Sequence, residues 1–99
     1  MKSILIDATG GERWIGGLYY KRNVLFSLLS NKKFVESYKV VLVIDKNNLS
    51  FFEEFSDRCA MSLIEYRKVK EKYIKILLVA IKYRCSIIFP YWGRAFYSY

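Results

Sequence analysis

Ninety-nine residues with 54% hydrophobic and 18% aromatic side chains make one small domain with enough apolar material for a core. This composition excludes a disordered chain, and no apolar run reaches the roughly 20 residues that span a bilayer. The net charge of +8 favours anionic partners, and the first seven residues are not a secretory leader, so a cytoplasmic protein is expected.

The first element expected is a short strand over Ser3–Asp7, "SILID", an apolar run ending in an acid. The segment Asp7–Asn23, "DATGGERWIGGLYYKRN", follows with four glycines and Trp14. The spacing of Leu18, Leu25, Leu28 and Leu29 predicts a helix over Leu18–Ser30, with Asn31 as its stop. "YKVVLVID", Tyr38–Asp45, is a β-branched run of the kind buried on both faces of a sheet. Asn47-Asn48 marks a turn, and Leu49–Asp57 predicts a short helix. Ala60–Ile64 is a weaker strand. Val69–Tyr83 predicts the strongest helix, with Ile74, Leu77, Leu78 and Ile81 as its core face. "CSIIFP", Cys85–Pro90, is a last strand, which the proline ends.

This order, β-α-β-α-β-α-β, predicts a parallel sheet covered by helices, half of a doubly wound, Rossmann-like α/β fold. The chain stops soon after its fourth strand, at "YWGRAFYSY", where such a sheet has an edge waiting for more strands. A single partial domain over residues 1–99 is therefore expected.

Ligands of open α/β sheets bind beyond the carboxyl ends of the strands, where the glycine loop lies. The dinucleotide fingerprint G-x-G-x-x-G fails, because Gly11 and Glu12 follow Gly10. The phosphate loop fails too, because Gly17 and Leu18 stand where a lysine and a hydroxyl are required. What remains is Gly16-Gly17 at the first turn of a helix. The pair could let an anion approach free N–H groups, or merely permit a tight strand-to-helix turn; spacing alone leaves the two readings level. Asp7 and Asp45 end strands, and capping of loop N–H groups is the expected role of both. Cys59 and Cys85, with no CxxC pair and no histidine, exclude the usual zinc spacings and a disulfide framework; buried thiols are expected, with no metal and no cofactor.

Together, "ILIDA", "WIGGLYYKRNVLFSLL" and "VVLVID" resemble the start of GT-B glycosyltransferases, nearest to bacterial enzymes that build surface or capsular polysaccharides. "CSIIFP" is similar to a later strand of that family, which ends at the interdomain cleft. The resemblance implies two Rossmann-like domains: a C-terminal one holding most of a nucleotide-sugar, and an N-terminal one facing the saccharide or lipid-linked acceptor. It implies that Gly16 and Gly17 approach the donor diphosphate, and that Asp7, Trp14, Tyr19 or Tyr20, Tyr91 and Trp92 lie on the acceptor side of the cleft. The paired-glutamate motif and donor domain are missing from these 99 residues, as is the histidine many relatives carry. An N-terminal fragment, inactive alone and completed by a partner chain or further domain, is expected.

A second reading rests on charge. From Arg67 to Arg84 seven basic residues face Glu71 alone, and Arg67, Lys68, Lys70, Lys72 and Lys75 could bind an anionic membrane surface or a partner subunit. These cations could equally solvate the outer side of a helix. Nucleic acid is not expected, since no helix-turn-helix, RNP or KH signature is present.

Overall fold

The computed structural model describes residues 2–10 and 15–89. Its elements run β1 (Lys2–Asp7), α1 (Ile15–Ser30), α2 (Lys32–Ser37), β2 (Tyr38–Ile44), α3 (Leu49–Phe52), a 3₁₀ turn (Glu53–Phe55), β3 (Ala60–Leu63), α4 (Val69–Lys82) and β4 (Cys85–Phe89). The four strands form one all-parallel sheet in the order β3-β2-β1-β4. The chain steps outward from β1 through β2 to β3, then crosses back to lay β4 on the other side of β1. This is the Rossmann-like arrangement, and its switch point lies between the carboxyl ends of β1 and β4.

Alternation along the strands divides the core between two faces. On one face Ile4, Ile6, Val40, Leu42 and Ile44 pack with Leu18, Leu25 and Leu29 of α1 and with Phe52 and Phe55. On the other, Leu5 and Val43 pack with Ile64 and with Ile76 and Ala80 of α4. Strands buried on both faces explain why "KVVLVI" reads as a continuous apolar run instead of an alternating one.

Two expectations need correction. Asn31 does not simply stop a helix. Its side chain accepts the Phe34 N–H at 3.1 Å and caps a second, six-residue helix, α2, which buries no residue and so leaves no apolar period to read. The core face of α4 is also different. Ile74, Leu77, Leu78 and Ile81 are exposed, whereas Lys72, Ile76 and Ala80 are buried. The helix is apolar on both sides, and the side that meets the sheet is the one carrying Ile76 and Ala80, with Tyr73 and Val79 packed against the same core. At its end Arg84 adopts φ +54° and donates to the Ile81 carbonyl at 3.2 Å, a left-handed termination seldom given to arginine.

Candidate functional site

The carboxyl ends of β1, β2 and β3 converge on a buried polar cluster. Asp7, the last residue of β1, is fully buried. Its Oδ1 accepts the Thr9 N–H at 2.9 Å and the Thr9 hydroxyl at 2.5 Å, an Asx-type turn that bends the chain off the strand. Asp45, the residue after β2, accepts the Gly10 N–H at 2.9 Å and the Tyr66 hydroxyl at 3.1 Å through Oδ2, and the Asn48 N–H at 3.1 Å through Oδ1. Asn48 returns the connection, donating its amide to the carbonyls of Ala8 at 2.8 Å and Gly10 at 2.6 Å. Gly10 sits at φ +75°, where a side chain would be strained, although nothing stands within 4 Å of an added Cβ. The two carboxylates thus cap loop N–H groups, and with Asn48 they fasten the start of the glycine loop to the end of β2.

Charge is balanced within the same cluster. Lys21, from the second turn of α1, donates to the Thr9 carbonyl at 3.4 Å. Burial pushes its ammonium pKa down, Asp7 and Asp45 pull it back up, and Lys72 lowers it again. Lys72, expected on the surface, is buried, with its ammonium over the rings of Tyr66 and Tyr73 at 5.6 and 5.3 Å. Lys75 pairs with Glu71 and donates to the Glu65 carbonyl. Asp7 Oδ2 is buried and has no hydrogen-bond partner among the described residues, an acceptor that a ligand hydroxyl or amine could satisfy.

Beside the cluster, Asp45, Lys46, Asn47, Ile64, Glu65 and Tyr66 line a cavity of about 220 Å³ between the ends of β2 and β3. A wider hollow of about 450 Å³ by Lys2, Glu36, Ser37 and Tyr38 lies at the amino ends of the strands, away from the edge where such folds bind ligands.

Tyr66 has a measurable signature. Its phenol is pushed up to about 12 by burial first, then by the Asp45 carboxylate and the hydrogen bond it donates there. The folded chain therefore holds this proton more tightly than the unfolded chain, whose phenol titrates near 10. The stabilisation is complete below pH 10 and fades as pH rises towards 12. Denaturant melts across that window are expected to fall more steeply for the wild type than for Tyr66→Phe; parallel slopes would contradict the Asp45 contact.

The other expected site residues divide in three. Gly16 and Gly17 lie within the first turn of α1. Tyr19 is about half exposed and turns its ring edge onto Phe51 at 5.1 Å. Tyr20 is exposed. Trp14, Tyr91 and Trp92 lie outside the described residues. The cysteines are not activated: burial raises the Cys59 thiol to about 11 and moves Cys85 upwards too, and Cys59 Sγ donates to the Phe55 carbonyl at 3.2 Å. Among the described residues no group of three or more His, Cys, Asp or Glu could hold a metal ion, and no helix is long and apolar enough to cross a membrane.

Thr9, Lys21, Asn48 and Tyr66 were not legible as site residues. Each acts through a partner 12 to 40 positions away in sequence, apart from the local Thr9–Asp7 bond. The Asn47-Asn48 turn was the available signal, since a buried turn asparagine can tie down two carbonyls at once.

No protein-family model matches this chain, and comparison with curated proteins and with solved structures gives no significant match. The fold and the cluster therefore define it as an α/β protein with a four-stranded parallel sheet of Rossmann-like order.

Proposed function

We propose that the chain is the acceptor-side, N-terminal part of a GT-B glycosyltransferase of the kind that builds bacterial surface polysaccharides. With a second α/β domain it would move a sugar from a nucleotide-sugar to a saccharide or lipid-linked acceptor. One observation carries this reading: Gly16-Gly17 falls in the first turn of α1, the helix that follows β1, and the carboxyl end of β1 borders the switch point. The first N–H groups of a helix have no partner within it, and the helix dipole favours an anion there. On this reading the two glycines leave room for a diphosphate, and their N–H groups stabilise the charge that develops on it as the sugar departs. Asp7 would offer its Oδ2, which has no partner among the described residues, to an acceptor hydroxyl, held in place by Thr9. Main donor recognition belongs to the second domain, so the 99 residues alone are not expected to turn over.

Alanine separates this role from a purely structural one. Both glycines are helical, so the Gly16→Ala/Gly17→Ala variant is expected to gain up to about 1 kcal/mol of stability per site. It is also expected to lose the rise in melting temperature that millimolar uridine diphosphate or inorganic pyrophosphate gives the wild type. A wild type that neither anion stabilises, or a double variant stabilised equally well, would contradict the proposal.

A further inference from the structure

The outer side of α4 carries an apolar stripe that no described residue covers. Ile74, Leu77, Leu78 and Ile81 are 52%, 43%, 59% and 65% exposed. Their spacing of three and four places them on one side of the helix, opposite Ile76 and Ala80, which pack against the sheet. A helix apolar on both sides belongs in a place where both are covered, and a contiguous exposed patch of this kind marks an interaction surface.

Cations surround the stripe. Arg67 and Lys68 precede α4, Lys70 lies in its first turn, and Lys82 and Arg84 lie at its end; all five are exposed. Lys72 is buried and Lys75 is engaged with Glu71, so neither belongs to this frame. We propose that this face of α4 docks on an anionic lipid surface. The four apolar side chains enter the boundary between headgroups and acyl chains, and the five cations reach the phosphates around them, their aliphatic stems lying along the apolar surface.

Charge decides the occupant. A second copy docked through the same stripe would bring five exposed cations against five others, which opposes association. Nucleic acid would match the cations and leave four large aliphatic side chains facing phosphate and water. An anionic bilayer satisfies both features. The inference stands on exposure and charge alone and does not depend on the proposed catalytic reading.

The test is co-sedimentation of the full chain with phosphatidylcholine vesicles, with and without phosphatidylglycerol. Binding to the anionic vesicles is expected to exceed that to neutral ones by about tenfold or more, and to weaken as salt rises. Leu78→Ser with Ile81→Ser is expected to lower partition about tenfold, since two inserted aliphatic groups are lost. Its melting temperature should stay close to the wild type, because both side chains are exposed in the fold. Lys70→Gln with Lys82→Gln should lower anionic partition several-fold. Absence of vesicle binding, or binding that the serine variant leaves intact, overturns the proposal. So does a concentration-dependent dimer in analytical ultracentrifugation that the serine variant abolishes in a chain that ignores vesicles.

Discussion

Replacing Phe52 with alanine is expected to cost about 3–5 kcal/mol, read as a fall in the urea midpoint at unchanged slope. The ring is wholly buried and belongs to the larger core cluster, which β1 and β2 share with α1. Phe51 meets it edge-on at 5.4 Å, and the short α3 that carries both has one turn in which to fix them. So short a helix has no stability of its own, and burial of Phe52 and Phe55 holds it in place. A domain of this size has about 5–15 kcal/mol in total, so one truncation would remove a large part of it. Phe52→Leu, which keeps most of the volume, is expected to cost about 1–2 kcal/mol. A loss below about 1 kcal/mol for Phe52→Ala would mean that α3 does not seal this core.

Asp45→Ala is the second large effect, expected at about 3–5 kcal/mol from buried donors left without their acceptor. The carboxylate accepts from Gly10, Asn48 and Tyr66, joining the loop after β1, the turn after β2 and the segment after β3. Its removal takes the carboxylate acceptor from the Gly10 N–H and the Tyr66 hydroxyl, leaves the Asn48 N–H with only the Asp45 carbonyl at 3.1 Å, and leaves Lys21 with one fewer nearby carboxylate. Amide exchange of Gly10 and Asn48 should accelerate beyond the global change, because the loop opens locally first. Asp45→Asn retains the volume and one acceptor oxygen, so a smaller loss is expected. Equal exchange throughout the chain would show that the carboxylate does not fasten the loop.

These two variants probe parts of the molecule that the sequence reveals unequally. The four strands are legible because each is an apolar run bounded by a turn or an acid, and the alternation of strand and helix leads to a parallel sheet. The sheet's β3-β2-β1-β4 order, and hence the switch point, emerges from the return crossing through α4. Leu18, Leu25 and Leu29 mark the inner face of α1 because its other positions are mostly polar or aromatic. The same reasoning fails on α4, where apolar residues surround the helix and their spacing does not single out the side that meets the sheet. Ile76 and Ala80 face inward, and Lys72 joins them by resting its ammonium on two tyrosine rings. A lysine buried in that way is indistinguishable in sequence from one on a solvated stripe.

The polar cluster illustrates a different limit. Asp7 and Asp45 end strands, which makes their capping roles readable locally, and Asp7 does take the N–H of a residue two positions on. Asn48 instead ties its turn to carbonyls 40 and 38 positions earlier, and Tyr66 closes on Asp45 from 21 positions later. Those contacts exist because parallel strands bring all their carboxyl ends to one edge, a property of the sheet as a whole. The cavity between Asn47 and Tyr66 arises in the same way, from turns that are remote in the chain and adjacent at that edge.

Whether Gly16-Gly17 faces an anionic ligand is tested most directly by assigning the backbone amides and titrating the chain with inorganic pyrophosphate and uridine diphosphate. The expected result is a saturable shift of the Gly16 and Gly17 amides, followed by Thr9 and Gly10, with the cations between Arg67 and Arg84 moving less. Shifts confined to that basic segment, with both glycine amides unmoved at saturation, would contradict the assignment and leave the glycine pair as a turn between strand and helix.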